Sequence, residues 1–331
     1  MKKVFGLCLM LALLVACASK ESAQFGQAQR LAEKGQFAKA IQIYSRIIKD
    51  NPENYAAWAS RGLLYERLGG KDGAELKKNK QLAERDYLRA LGLNYLRPEI
   101  LNNLAALYID EGRYEQAIGY LNQALALRPN YFMALINRAV AYSQQGKIGP
   151  ALVDFSAAQE LDNFSPLLYL NRGLAQFAAG YYAGATQDYT DLAELEPKNP
   201  RPYLERGRAF VKMGHFQNAM DDFQKAMALR PDYAMPYFYA AELLFNKGET
   251  DEAIAYAERA KQLAPNYAPV YDMLGDMLAL ESPVDATKHY LAARRLNPRH
   301  AAYYQNKIRL MTTEEGRKRV VAGRFFTVGG K

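Results

Sequence analysis

The chain has 331 residues, of which 50% are hydrophobic and 24% are charged, and its formal net charge is +8. Much of the excess positive charge lies in Lys2, Lys3 and the segment after Glu315, so the body of the chain is close to neutral. The charge therefore gives no support to a nucleic-acid-binding array, and we predict no nucleic-acid partner.

The first predicted element is a signal peptide over residues 1–16. Lys2 and Lys3 precede an apolar run that reaches residue 16, which is of signal-peptide length and too short to span a bilayer comfortably. The run ends in L-V-A-C, and this ending resembles the lipoprotein box of bacteria. The resemblance implies cleavage before Cys17 and lipidation of that cysteine. Residues 17–24 then form the lipidated cysteine and a short polar tether.

The cysteine content favours lipidation over the alternative, an ordinary signal peptide with an incidental cysteine. The chain has two cysteines, and because Cys8 lies in the segment to be removed, the mature chain has no partner for a disulfide with Cys17. Acyl chains contribute roughly 0.8 kcal/mol per buried CH₂ to membrane anchoring. Ala18 follows the cysteine, where lipoproteins retained at the inner membrane usually have Asp. The resemblance therefore implies an outer-membrane protein whose repeats face the periplasm.

A repeat of 34 residues follows the tether. Pro197, Pro231 and Pro265 are spaced by 34 residues, and Pro129 precedes Pro197 by two periods. Positions are counted within a unit such as Pro200–Pro231, with Pro200 as position one. Small residues recur at positions eight and twenty, and glycine recurs at position fifteen except in the last unit, which lacks it and is one residue short. Apolar positions three, four and seven apart form one stripe on a helix, while glycine allows the turn and proline ends a helix. A fixed period of this length predicts a helical repeat array with an extended binding surface.

The unit resembles the tetratricopeptide repeat. The residues that carry the resemblance are Trp58, Gly62 and Tyr65 for the W-x2-L-G-x2-Y half, in which Arg61 replaces Leu, and Ala219, Phe223 and Pro231 for the A-x3-F…P half. The resemblance implies an all-α fold over residues 25–298, a right-handed superhelical solenoid of about eight helix-turn-helix hairpins.

Three segments depart from the regular unit. An insertion near residues 66–82, Gly-rich and then basic, predicts a longer turn in the second hairpin. After the array we predict a capping helix over residues 299–312 and a basic, flexible tail over residues 313–331. The alternative for the tail is a short docking segment anchored by Phe325 and Phe326.

The resemblance also implies a binding site, because the first helix of each unit lines a concave groove in this family. Its inward residues are typically at positions two, five, six, nine, twelve and thirteen. In this sequence the predicted groove residues are Met133, Ile136, Asn137, Val140, Leu167, Leu170, Asn171, Leu174, Phe177, Arg201, Leu204, Arg208, Lys212 and Phe238. The same positions include Val211, Tyr239 and Glu242.

The predicted groove is apolar, with two asparagines and three basic residues. An apolar patch of this extent is typical of an interaction site, and Asn137 and Asn171 have amides that can bond a peptide backbone. The family's carboxylate clamp, Lys and Asn at positions five and nine, is not reproduced, which disfavours a C-terminal carboxylate ligand. The alternative is that tighter packing or the chain's own tail covers the patch.

Patterns that carry chemistry are not found. The three histidines do not fall in a metal-binding spacing, and neither a nucleophile elbow nor a P-loop is present. We interpret the pair Asp221-Asp222 as a solvated helix face. We therefore predict no enzyme activity, no metal and no cofactor. Arginine recurs at position seven of several units, which predicts a structural ladder between neighbouring repeats, formed by Arg61, Arg138, Arg172 and Arg206.

These features lead to a hypothesis of function. The protein is expected to be a membrane-anchored scaffold that binds an envelope protein or peptide in its groove, in assembly of a pilus or a secretion pore. One alternative is an organiser of cell-wall enzymes, and the sequence does not distinguish this role from assembly of a pilus or a secretion pore. Another is a membrane-surface module that acts through its basic tail on anionic lipid. The oligomeric state stays open.

Overall fold

The computed structural model describes residues 20–325. The signal peptide, Cys17 and residues 326–331 lie outside the described residues, and so does part of the predicted tether. The chain divides into two compact units, Met1–Leu168 and Tyr169–Lys331, and each is described by itself.

The first unit consists of helical hairpins in chain order. Its helices are α1 (20–33), α2 (Phe37–Asp50), α3 (Tyr55–Leu68), α4 (Gly73–Leu93), α5 (Pro98–Asp110), α6 (Tyr114–Leu127), α7 (Phe132–Gln144) and α8 (Ile148–Leu161). The next helix, α9 (Pro166–Ala178), begins in this unit and continues into the second.

The second unit continues the hairpins and ends in two further helices. Its helices are α10 (Tyr182–Leu195), α11 (Pro200–Lys212), α12 (Phe216–Leu229), α13 (Ala234–Lys247), α14 (Thr250–Leu263), α15 (Ala268–Leu278), α16 (Pro283–Leu296), α17 (Ala301–Leu310) and α18 (Glu314–Phe325), with a 3₁₀ turn at Pro298–His300. Helices α1 to α16 form eight consecutive hairpins, which confirms the predicted all-α repeat fold for the described residues. No helix in residues 20–325 is long and apolar enough to cross a membrane.

Close approach of the two helices explains the small residue at position eight. A Cβ added to Gly207 of α11 would lie 2.6 Å from the ring of Phe223 on α12. Phe223 is fully buried, so this contact leaves no room for a larger residue at position 207. The turn glycines at position fifteen have positive φ, as at Gly214 with φ 77°, which favours glycine over residues with a Cβ.

The insertion in the second hairpin is helical, unlike the longer turn that the sequence predicts. The turn occupies residues 69–72, and α4 has 21 residues where α6 and α8 have 14. The Asp72 side chain accepts a hydrogen bond from the Glu75 backbone N–H at 2.8 Å and so caps the first turn. The added residues therefore extend a helix instead of a loop.

The arginine ladder is present in both units. In the second unit, Arg206 of α11 donates from Nε and Nη2 to the two carboxylate oxygens of Asp222 on α12, both at 2.8 Å. Its Nη1 donates to the hydroxyl of Thr190 on α10 at 3.0 Å, which joins two neighbouring hairpins. The equivalent bidentate pairs are Arg61–Asp86, Arg138–Asp154 and Arg172–Asp188.

This ladder corrects the interpretation of Asp221-Asp222 as a solvated face. Asp221 is exposed, but Asp222 is 6% exposed and paired with Arg206. Burial raises the pKa of Asp222, although the hydrogen bond and charge of Arg206 oppose the shift.

The C-terminal residues also differ from the flexible tail that the sequence predicts. Helix α17 corresponds to the expected capping helix, and a second helix, α18, follows it. Val320 of α18 is buried in an apolar cluster with Met311 and with Tyr290 of α16, and α18 contacts α15. Burial of Val320 stabilises a helix in a segment whose basic composition alone predicts disorder.

Candidate protein-binding groove

In the first unit the predicted groove residues lie on α7 and at the start of α9. Met133 and Leu167 are exposed, Asn137 and Val140 are half-buried, and Ile136 is only 1% exposed. Ile136 therefore belongs to the packing between helices and is not accessible from the groove.

The amide of Asn137 is already engaged within this unit. Its Nδ2 donates a hydrogen bond to Oδ1 of Asn102 on α5, at 2.9 Å, and Asn102 is buried. The bond joins the first helices of two neighbouring hairpins. Asn137, which was predicted to bond a peptide backbone, thus has a structural role as well.

In the second unit the predicted residues differ widely in exposure. Arg201 and Lys212 are exposed, whereas Leu204 and Phe238 are only 3% and 9% exposed and pack within the unit. The half-buried members are Leu170, Asn171, Leu174, Phe177 and Arg208. Leu204 and Phe238 therefore pack beneath the groove surface and are not part of it.

A pocket of about 290 Å³ opens on the first helices α9, α11 and α13. It is lined by Phe177, Arg208, Val211, Lys212, Tyr239, Glu242, Leu243 and Asn246. Three of the predicted groove residues, Phe177, Arg208 and Lys212, thus line one pocket. Leu243 and Asn246 were not predicted, although Asn246 is at position thirteen of its unit, one of the inward positions.

Arg208, which lines this pocket, lies over two aromatic rings. Its guanidinium carbon lies 5.0 Å from the ring centroid of Phe177 and 5.0 Å from that of Tyr239. Its Nη1 donates to Glu205, one turn earlier on α11. Burial alone would lower the pKa of Arg208, but the charge of Glu205, the nearby tyrosines and the hydrogen bond to Glu205 together outweigh it and hold the pKa above its ordinary value. The guanidinium is therefore charged and fixed in orientation.

The Tyr239 ring is itself fixed by aromatic packing. It stacks on Phe223 at 6.1 Å between centroids, and it meets Phe238 edge to face at 5.3 Å. Phe238 in turn meets Tyr267 edge to face at 5.4 Å. One wall of the Arg208 pocket is thus built on the buried core, so the site is preformed.

The chain's own C-terminal helices line the groove next to this pocket. A second pocket, of about 450 Å³, shares Glu242 and Asn246 of α13 with the first. Its other lining residues are Asp276, Tyr303, Asn306, Lys307, Leu310, Arg319, Val320 and Gly323, all from α15, α17 and α18. The tail therefore occupies the end of the groove at α15, while the part formed by α9, α11 and α13 stays open.

An ion network attaches α17 to this end. The Lys307 ammonium lies 2.6 Å from Asp272 and 2.7 Å from Asp276, both on α15. It also lies over the rings of Tyr290 and Tyr303, at 5.3 and 4.8 Å. Burial alone would lower the pKa of Lys307, but the two carboxylates outweigh it and raise the pKa. Within the described residues no group of three or more His, Cys, Asp or Glu side chains could hold a metal ion.

Comparison with known proteins identifies the family. A tetratricopeptide repeat model matches residues 25–80 and 204–268, and a second tetratricopeptide repeat model matches residues 98–131. Together with the consecutive hairpins, these matches identify the chain as a member of the tetratricopeptide repeat family.

Relatives among characterised proteins match only a part of their own length. The chain is 28% identical over 132 residues to human tetratricopeptide repeat protein 13, which is 40% of this chain and 15% of that protein. It is 31% identical over 119 residues to human protein O-mannosyl-transferase TMTC3, which is 35% of this chain and 12% of that protein. The chain therefore matches less than one sixth of the length of these two relatives.

Solved structures share the fold over a larger part of the chain. A tetratricopeptide repeat protein from Parabacteroides merdae superposes with a TM-score of 0.61 at 22% identity, covering 77% of this chain and 97% of that one. PilW, described as a widely conserved type IV pilus biogenesis factor, superposes with a TM-score of 0.58 at 19% identity, covering 64% and 94%. At these identities the likeness establishes the fold alone.

Proposed function

We propose that the protein is a scaffold that binds a segment of a partner protein in the open part of its groove, formed by α9, α11 and α13. The observation that carries the proposal is the preformed pocket around Arg208, which combines aromatic walls with charged groups that the fold does not fully satisfy. Such a mixture of apolar and polar lining is typical of sites that bind extended or helical segments. The proposed role is recruitment and involves no catalysis.

We further propose that a lipid on Cys17 fixes this scaffold at the outer membrane, with the repeats in the periplasm. The support is the resemblance of residues 14–17 to the lipoprotein box, together with Ala18 after the cysteine. PilW has the same repeat fold and is described as a pilus biogenesis factor, which supports a role in assembling a pilus or a secretion pore.

In-cell photo-crosslinking tests the scaffold proposal. A photoreactive phenylalanine analogue replaces Phe177, which lines the pocket, and as a matched control it replaces Phe216, an exposed residue of α12. We expect an envelope protein to be captured from position 177 and not from position 216, and its identity would separate pilus assembly from cell-wall synthesis. Equal capture from both positions, or no partner from 177, would contradict groove binding.

Membrane fractionation tests the anchor. We expect Cys17→Ala to move the protein from the membrane fraction to the soluble fraction, because the lipid attachment site is lost. Cys8→Ala is the matched control and should leave the distribution unchanged, since Cys8 lies in the segment to be removed. Retention of the Cys17→Ala protein in the outer-membrane fraction would contradict lipid anchoring at this residue.

A further inference from the structure

The Arg208 guanidinium has donors that the fold leaves unused. Among the described residues its hydrogen bond is to Glu205 through Nη1, while Nε and Nη2 have no acceptor there. The side chain is 27% exposed and borders the pocket. An arginine fork whose plane is fixed by two rings matches the two oxygens of a carboxylate, because both groups are planar.

A second cation lies beside Arg208 on the same helix face. Lys212 follows Arg208 by four residues on α11, which places the two side chains on neighbouring turns of one face. Lys212 is exposed, and it makes no salt bridge within residues 20–323. The α11 wall therefore offers two positive groups, of which one is fully available.

The α13 side of the pocket carries a negative charge, which limits the charge of an anion that can bind there. Glu242 and Asn246 lie on α13, and Glu205 already balances part of the Arg208 charge. After Glu205 is counted, one net positive charge remains on α11, while Glu242 on α13 repels any anion that binds there. A singly charged carboxylate is therefore favoured over a doubly charged phosphate, whose repulsion from Glu242 would be about twice as large. The half-buried apolar lining, Val211 and Phe177, accepts a hydrocarbon side chain next to that carboxylate.

We propose that the pocket recognises an acidic side chain adjacent to an apolar side chain in the partner segment. The carboxylate binds Nε and Nη2 of Arg208 with Lys212 alongside, and the apolar side chain packs on Val211 and Phe177. The Asn246 amide, which can both donate and accept, bonds the backbone of the segment. This inference rests on the proposed scaffold function and names the chemistry of the segment that the scaffold binds.

A peptide-display selection on the full chain, held in detergent micelles, tests the inference. The probes are linear random peptides with a blocked C-terminus, so that only side-chain carboxylates are presented. We expect enrichment of Asp or Glu next to an apolar residue. In synthetic copies of the selected peptides, Asp→Asn or Glu→Gln should weaken binding to the wild-type chain by roughly tenfold or more, as for a lost charge-assisted hydrogen bond.

Protein variants assign the effect to the pocket. Arg208→Ala should weaken binding of the acidic peptides to the same degree and should not weaken the amide copies further. Arg259→Ala, at an exposed position of α14 in the same unit, is the matched control and should bind as the wild type does. Lys212→Ala is a second variant at a position without a packing role, and it should weaken binding of the acidic peptides several-fold.

The outcomes separate this inference from the function on which it rests. Selected peptides without an acidic residue, or acidic peptides that bind Arg208→Ala and Lys212→Ala as well as the wild type, would overturn the acidic-segment inference and leave a peptide-binding scaffold. Selection of no peptide above the level of an empty surface would overturn both proposals.

Discussion

Two cations in the second unit have similar surroundings and opposite roles. Lys307 and Arg208 each lie over two aromatic rings. Lys307 has two carboxylate partners from α15 and is 11% exposed, whereas Arg208 has Glu205 as its carboxylate partner and is 27% exposed. The first cation is satisfied by the chain itself, whereas Nε and Nη2 of the second have no acceptor among the described residues.

This difference indicates how the two parts of the groove are used. At α15 the chain has filled its own groove with α17 and α18, so the charges there stabilise the fold. At α9, α11 and α13 the same kind of aromatic and charged surface is left open. The comparison predicts that substitutions at the filled end change mainly the free energy of unfolding, and that substitutions at the open part change mainly partner binding.

The largest expected effect is at the filled end. Lys307→Ala removes the ammonium that pairs with Asp276, which is fully buried and keeps its hydrogen bond from the Tyr290 hydroxyl, and loss of one partner of a buried pair costs about 3–5 kcal/mol. We expect a lower midpoint of chemical denaturation and loss of the helical signal from α17 and α18. Lys288→Ala, which removes an exposed pair with Asp285, is the matched control and should change the midpoint little. Equal effects of the two substitutions would contradict the comparison.

A smaller effect is expected from Arg206, which is two residues from Arg208 and faces the ladder instead of the pocket. Arg206→Ala leaves Asp222 buried without its partner, and because Arg206 is partly exposed we expect a cost of about 1–3 kcal/mol in chemical denaturation. Adding Asp222→Tyr should restore part of the loss. The hairpin that follows already has this combination, Ala240 with Tyr256 at the same spacing. A double variant less stable than Arg206→Ala would contradict this account of the ladder.

The ladder also illustrates what the sequence could predict. The recurring arginines at position seven were recognised, but their partners were not, although an aspartate follows each of Arg138, Arg172 and Arg206 by 16 residues. Where the arginine is absent, at Leu104, the aspartate is absent as well, since position 120 is tyrosine. In the units without the insertion, arginine at position seven and aspartate 16 residues later are therefore present together or absent together. This joint occurrence is the signal in the sequence that would have identified the buried ion pairs.

The sequence predicted which side chains point toward the groove, but not which of them are exposed there. The position pattern identified Phe177, Arg208 and Lys212, which meet in the pocket. It also included Ile136 and Leu204, which are buried, because helical periodicity gives the direction of a side chain but not how far a neighbouring helix covers it. Helix α18 was missed for a related reason, since its stability depends on tertiary burial of Val320 and not on its own composition.

The smallest expected change in stability is at the open part of the groove. Lys212 is exposed and makes no salt bridge within the described part of the chain, so Lys212→Ala should change the free energy of unfolding by no more than about 0.5 kcal/mol. Its effect should instead appear in binding: the affinity for an acidic peptide should fall, and the remaining affinity should depend less on salt, because one screened attraction is lost. Isothermal titration at low and high salt, beside denaturation of the same samples, measures both quantities. A loss of stability comparable to that of Lys307→Ala would mean that the open part of the groove serves the fold as the filled end does, and that its charges are not kept for a partner.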